Sequence, residues 1–212
     1  MFQPPVFRED RPEVMQALMR AHPFATLVSA ATGPLTAEHV PLVLHEGEGA
    51  RGVLRGHLGA GNPLFRETEG RIEVLTIFQG PQAYVMPSWY ASKREHGKVV
   101  PTWNYVVVHA RGRLRFTRET YWLLRHLQDL TAQQEGQRPQ PWAVTDAPED
   151  FVMRQLRGLV GFEIEIEELA GTWKVSQNKE STDRQGVEAG LGAQESAEEQ
   201  AVAALVRERA RV

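Results

Sequence analysis

The residues best equipped for chemistry lie between Phe78 and Gly112, in FQGPQAYVMPSWYASKREHGKVVPTWNYVVVHARG. Trp89, Tyr90, Trp103 and Tyr105 are large flat rings, and Ser88, Ser92, Thr102, Asn104 and His109 set short hydrogen-bonding groups among them. Rings can stack on a planar ligand while hydroxyls and amides reach its polar edge. Pro81, Pro87 and Pro101 each fix φ and remove a backbone donor, so the stretch is expected to turn a corner at each. Two readings stay open on the residues alone. One is a rigid rim for a flat, polar-edged ligand; the other is an aromatic barrel end whose hydroxyls merely satisfy backbone at the corners.

Two shorter segments add candidate groups. GHLGAGNP, Gly56 to Pro63, leaves glycine amides open beside an Asn62-Pro63 helix start, where an anion could sit or a strand could simply turn into a helix. GTWKVSQNK, Gly171 to Lys179, brings Lys174, Ser176, Gln177, Asn178 and Lys179 together as cations and amides for a phosphate or ring edge, or as a solvated loop. Lys174 and Ser176 share a face if the segment is extended. The HExxH metal pattern, the GxSxG elbow, the Walker A loop and the dinucleotide fingerprint do not occur. His39, His57 and His109 could approach each other in a barrel, but no metal spacing links them, so no metal site is expected. No residue stands out as a catalytic acid or base, and Glu163, Glu165 and Glu167 read as a wet strand face.

Composition narrows the classes further. The 212 residues carry a formal charge of −3, which gives no electrostatic reason to expect nucleic acid. The absence of cysteine excludes disulfides, thiolate metal sites and cysteine nucleophiles. No apolar run approaches the ~20 residues of a membrane span, and MFQPPVFRED lacks the flanks of a secretory signal, so a soluble cytoplasmic protein is expected.

The elements that must position these groups follow from periodicity. Pro4 and Pro5 predict an extended arm, and Asp10, Pro12 and Glu13 a helix start ended by His22-Pro23. Strands are predicted over 24–30, 35–44 (with Pro41 at an edge or bulge), 53–58, 71–78, 105–116 and 160–169, with Gly112 marking a bulge. Tyr105 to Phe116 is expected to be the longest. Helices are predicted over 63–69, 117–134 and 146–157, and a last one after the Ser196/Glu199 capping box, running near Val212. Ser88 to Lys98 is expected to be a helical turn and a loop. In the 117–134 helix Leu123, Leu127 and Leu130, with Leu124 and Tyr121, form the core side; in the 146–157 helix Phe151, Val152 and Leu156 do. Strands spaced by turns rather than crossover helices argue for an antiparallel barrel or meander with added helices, in a single unsplit domain.

His57…Asn62-Pro63, FQGPQAYVMPSWY, VPTWNYVVVHARG and WKVSQNK, in that order, resemble the PaiB family of the FMN-binding split-barrel superfamily. The resemblance covers roughly Gly56 to Lys179. It implies a mainly β (α+β) fold: a six-stranded antiparallel split β-barrel with flanking α-helices, an N-terminal helix and a C-terminal helical extension. It further implies a homodimer with FMN at the subunit interface. The FMN contacts it implies are His57, Asn62, Ser88, Trp89, Tyr90, Thr102, Trp103, Asn104, Lys174, Ser176, Gln177 and Asn178. This chain has Gly59-Ala60-Gly61 where the family commonly has Ala-Arg-Ala, so either Arg55, Lys98 or Lys174 meets the phosphate or FMN binds weakly; Met86 replaces a small residue before Pro87. The functional expectation is a flavin-dependent, redox-capable protein. The alternative, carried by the family's naming for transcriptional repression, is a DNA- or protein-binding regulator without turnover. An empty split barrel serving as an interaction module is the third.

Overall fold

The computed structural model describes residues 1–31, 33–66 and 70–209. In chain order the elements are β1 (Arg8–Glu9), α1 (Pro12–Ala21), β2 (Phe24–Ser29), β3 (Thr36–Pro41), β4 (Val43–His45), β5 (Val53–Gly59), α2 (Pro63–Arg66), β6 (Arg71–Val85), α3 (Ser92–Glu95), β7 (Thr102–Thr117), α4 (Thr120–Glu135), α5 (Glu149–Leu156), β8 (Leu159–Lys174), α6 (Ser181–Gly192) and α7 (Ala197–Arg209). Short 3-10 turns occupy Pro5–Phe7, Pro87–Trp89 and Val144–Asp146. The helix ends predicted at Glu69 and near Val212 lie outside the described residues.

The chain forms two compact units. One comprises Pro12–Phe78 and His109–Leu169; the other comprises Met1–Arg11, Gln79–Val108 and Ala170–Val212. The strands β6, β7 and β8 contribute one part to each.

In the larger unit the sheet follows the order β3-β2-β6-β7-β8-β5-β4. The pairs β2–β3, β2–β6, β4–β5 and β5–β8 are antiparallel. That path has seven strands where six were expected, because the predicted 35–44 strand is two: Leu42 leaves the ladder after Pro41 and donates its N–H to Pro23 O at 2.9 Å. Side chains alternate as the pleat requires. Val160, Phe162, Ile164 and Ile166 are buried on one face of β8, while Glu165 and Glu167 face water. Gly112 is required by close strand approach: a Cβ there would stand 2.1 Å from Glu165 O on β8. The α4 stripe is only partly the predicted one, since Leu123 and His126 are buried and Tyr121 is exposed. On α5 Leu156 is buried and Phe151 is exposed.

In the smaller unit β1 pairs antiparallel with the end of β8, Arg8 opposite Thr172 and Glu9 opposite Gly171. β6 runs through Pro81, whose fixed φ suits extended backbone, so Pro81 is not a corner. β7 begins at Thr102, so the Thr-Trp-Asn segment is strand, and β7 and β8 are equally long at 16 residues. The Pro87–Trp89 turn and α3 agree with the expected helical turn and loop. α6 was not predicted, because Gly186 and Gly190 weaken its helical propensity. Both glycines serve packing. A Cβ at Gly186 would lie 2.0 Å from Trp89 O, and one at Gly190 would lie 2.4 Å from the Trp89 indole. The core here is Val85, Tyr90, Val106, Val108, Trp173, Val175, Val187, Leu191, Val202 and Val206.

Candidate functional site

The smaller unit gathers most of the residues singled out in sequence. Trp89 seats its indole in the glycine notch of α6, which fixes the Pro87–Trp89 turn and leaves Ser88 exposed. The next residues are tied to the same helix. Asp183, in its first turn, accepts from Ser92 N at 2.9 Å and from Ser92 Oγ at 2.7 Å. Burial raises the Asp183 pKa, but the Ser92 hydrogen bonds and the Lys179 charge outweigh it, and the carboxyl sits below its ordinary value. Tyr90 is 1% exposed and its ring lies 4.9 Å from Lys179 Nζ. Its hydroxyl is buried without a hydrogen-bond partner, an unmet polar group of the kind that native interiors rarely leave.

From β7 and β8 come a second set of groups. Lys174 donates from Nζ to Thr102 Oγ1 at 2.5 Å and to Trp103 O at 2.8 Å, and its ammonium stands 6.0 Å from the Tyr105 ring. Burial, then the charge of Lys179, lowers its pKa. Asn104 and Ser176 are buried and bonded to each other, Nδ2 donating to Oγ at 2.9 Å. Ser176 has φ +64°, which among the described residues is the sole positive φ outside glycine. Such a conformation costs on the order of 1–3 kcal/mol and is held by its surroundings. Gln177 spends its amide on this turn, accepting from Val175 N at 2.8 Å and donating to Trp173 O. Trp103 is 52% exposed, with its ring centroid 6.0 Å from that of Tyr84; Asn178 is exposed.

The predicted residues thus divide by role. Asn104, Ser176, Gln177 and Trp89 use their polar atoms or rings to build the frame. Ser88, Thr102, Trp103, Lys174 and Asn178 remain exposed or half-exposed, and Tyr90 offers an unmet hydroxyl. Sequence reasoning missed Asp183, and it did not connect Lys179 to Tyr90. No local pattern could have supplied Asp183, because α6 itself was not predicted, and Lys179 and Tyr90 are far apart in sequence.

His57 and Asn62 belong to the larger unit. Asn62 Oδ1 caps α2, accepting from Leu64 N at 2.8 Å. The ring that His57 meets is that of His126 on α4, Nδ1 to Nε2 at 3.1 Å. Trp122 stacks on His126 with centroids 5.4 Å apart and donates its Nε1–H to Glu163 at 3.1 Å. Glu163 also accepts from Arg55 and Arg115, both at 2.9 Å. Burial holds His57 and His126 below the ordinary imidazole range, His126 at about 3. The signal for His126 was its place beside Leu123 and Leu127 on the apolar stripe of α4.

The cation set bears on an anionic ligand. Arg55 is committed to Glu163 and to Glu48 (2.7 Å), and Lys98 is exposed. In the smaller unit Lys174 and Lys179 are close enough for one to depress the other, a repulsion that an anion would relieve. Two lysines whose charges interact and an exposed indole suit a phosphorylated planar ligand, so the residues present fit FMN.

Similarity to known proteins agrees with this geometry. The fold is the split β-barrel with flanking helices. It is shared with the FAD and heme binding protein from Mycobacterium smegmatis (TM-score 0.57, 13% identity, 79% of this chain and 73% of that one). It is shared also with the conserved hypothetical protein Rv2991 from Mycobacterium tuberculosis (TM-score 0.55, 11% identity, 82% and 91%). Residues 1–168 match the family model described as "Putative FMN-binding domain", and the chain belongs to that FMN-binding domain family. An uncharacterized protein of Emericella nidulans is 33% identical over 99% of this chain and 97% of its own length. The Protease synthase and sporulation protein PAI 2 of Bacillus subtilis is 32% identical over 88% of this chain and 87% of its own.

Proposed function

We propose that the chain is an FMN-binding flavoprotein with redox capacity, and that the binding groups are the predicted residues of the smaller unit. The observation that carries this reading is the Lys174 ammonium held on Thr102 Oγ1 and Trp103 O beside the exposed Trp103 indole, with the Lys179 charge near enough to lower its pKa. These lysines supply charge for the phosphate where the family's arginine is replaced by Ala60. The Trp103 ring supplies a stacking face, and Ser88, Thr102 and Asn178 supply polar contacts. Bound FMN would bring electron and hydride transfer at its isoalloxazine. The protein's part is to position it, and the rigid Asn104–Ser176 and Gln177 frame serves that end. Trp103 and Tyr84, exposed with ring centroids 6.0 Å apart, offer an apolar surface for a homodimer that places FMN at the subunit interface.

The test is an absorbance scan of the freshly purified protein with and without added FMN. A flavin spectrum that co-elutes with protein, and an affinity that falls about tenfold in Lys174→Ala, supports the reading; one charge-assisted hydrogen bond is worth about that factor. A colourless preparation that leaves the spectrum and fluorescence of added FMN unchanged refutes it. The alternative reading, a DNA-binding regulator, would appear as DNA binding that weakens steeply with salt. On α7 Arg207 and Arg209 are instead paired with Glu188 and Glu9.

A further inference from the structure

A cleft of about 200 Å³ lies in the larger unit, where the end of β7 runs into α4 and the end of α5 turns into β8. Among the described residues Arg118, Thr120, Met153, Leu156, Arg157 and Leu159 line it. Its wall is mainly polar, and the side chains able to make it so are Arg118, Thr120 and Arg157, all three exposed. None of the residues assigned to FMN lines it. It is smaller than the ~300–1,000 Å³ of sites for drug-sized ligands, so a whole FMN does not fit.

Two guanidiniums on one cleft leave its charge unbalanced, because arginine stays protonated at every ordinary pH. The arginines close by in sequence are matched, Arg115 with Glu163 and Arg154 with Asp150. Arg118 and Arg157 form no ion pair among the described residues. The acid next to Arg118 is already spent: Glu119 turns its two oxygens onto Tyr121 N and Trp122 N. No carboxylate lines the cleft among the described residues.

Both cations are carried on fixed supports. The Arg118 guanidinium carbon stands 5.9 Å from the centroid of the Phe65 ring, and Phe65 packs edge-on against Phe116 with centroids 5.1 Å apart. Arg157 caps α5, and Gly158 after it is tied on both sides. Its N–H donates to Gln155 O at 2.9 Å, and its carbonyl accepts from Ala60 N at 2.8 Å.

The donor set selects the ligand. A guanidinium fork matches an oxyanion bidentately. A carboxylate has two oxygens and one charge, so it would occupy one fork and leave the other cation unmet. A phosphate monoester has three terminal oxygens and about −1.5 to −2 charges, enough for two forks and a hydroxyl. Met153 and Leu159 give a short organic body an apolar side to rest on. We infer that this cleft is a second ligand site, for a small phosphate monoester held by Arg118, Arg157 and Thr120 Oγ1.

Phenyl phosphate is the probe, titrated at about pH 8, where it is a dianion, into the FMN-free full chain labelled with ¹⁵N-arginine. The expected result is a saturable shift of the Arg118 and Arg157 Nε–H resonances. Benzoate, which keeps the ring and carries one charge, should bind at least tenfold more weakly; this comparison needs no variant. Arg118→Gln and Arg157→Gln should each weaken phenyl phosphate by about tenfold, the worth of one charge-assisted hydrogen bond. Both side chains are exposed, and an unchanged urea midpoint will report an intact fold. Arg154→Gln removes a neighbouring charge that does not line the cleft and should leave the affinity unchanged. Shifts confined to other arginines overturn the assignment. So do equal affinities for phenyl phosphate and benzoate, or an Arg154→Gln loss as large as that of Arg157→Gln, which would mark a diffuse field rather than a site. Because the cleft shares no residue with the FMN reading, failure of either leaves the other standing.

Discussion

Replacing Gly190 by alanine sets two effects of opposite sign against each other at the Pro-Ser-Trp-Tyr motif. In an ordinary helix the change stabilises by about 0.8–1 kcal/mol, because glycine loses more backbone entropy. Here the new Cβ would meet Trp89 Cδ2, Cε2 and Cγ at 2.4, 2.5 and 2.5 Å. Those atoms belong to a fused ring and cannot bend away singly, so the whole indole must move by roughly an ångström, a degree of overpacking that costs about 1–3 kcal/mol. The clash wins, and Gly190→Ala should destabilise by about 1–2 kcal/mol, a drop of roughly 2–4 °C per kcal/mol in Tm for a chain of this size. Removing the ring should reverse the sign. In a Trp89→Ala background the same substitution should stabilise by about 0.5–1 kcal/mol, giving a coupling energy of about 2 kcal/mol in the double-mutant cycle. Urea unfolding of the four proteins, monitored by far-UV circular dichroism, measures each term. A Gly190→Ala variant more stable than wild type, or a coupling energy near zero, would show that Trp89 is not seated on α6. The frame argued for Ser88 and Tyr90 would then fall with it.

Other expectations rest on equally local geometry. Gly112→Ala places a Cβ 2.1 Å from a backbone oxygen that cannot yield without moving β8, so it should cost more than Gly190→Ala and lower the urea midpoint further. His126 is held at about 3 against an ordinary 6.5, with burial as the main cause and the neighbouring His57 and His45 and Arg55 adding to it. Because the unfolded chain takes up the proton first, its contribution is full above pH 6.5 and is lost as pH falls toward 3. His126→Gln should flatten the pH dependence of stability in that window, against the residual slope of His45 and His57, which are lowered too. Glu9 is pushed up by burial but pulled down more strongly by hydrogen bonds from Arg11 and Arg209, ending at about 2. Its contribution is present above pH 4.5 and disappears toward pH 2, and Arg209→Ala should raise its pKa, measurable by ¹³C NMR of the carboxyl.

Much of the fold was legible in residue order because its signals are local. The start of α1 at Pro12, the period-two burial of β8 and of β7 from Asn104 to Leu114, and the start of α7 just after Ser196 each depend on a few neighbouring residues. The motifs PSWY, PTWNY and WKVSQNK likewise marked the neighbourhood of the candidate site. Strand ends were less legible. β6 continues through Pro81 and β7 begins at Thr102, because pairing with neighbouring strands offsets the local turn propensity of proline.

What residue order could not decide was which polar atoms would remain available. Asn104 and Ser176 are 72 positions apart, and His57 and His126 are 69 apart. Each pair meets only after the strands and helices have packed, and each meeting consumes groups that the motif presents as free. The glycines of α6 make the same point in reverse, since propensity weakens a helix that the Trp89 ring then requires to be notched. Sequence alone determined the kinds of group at hand, the parity of each strand and the family. Tertiary packing determined which hydroxyls, amides and imidazoles are satisfied within the protein and which are left with unmet hydrogen-bonding capacity, because satisfaction of a polar group depends on atoms supplied from distant parts of the chain.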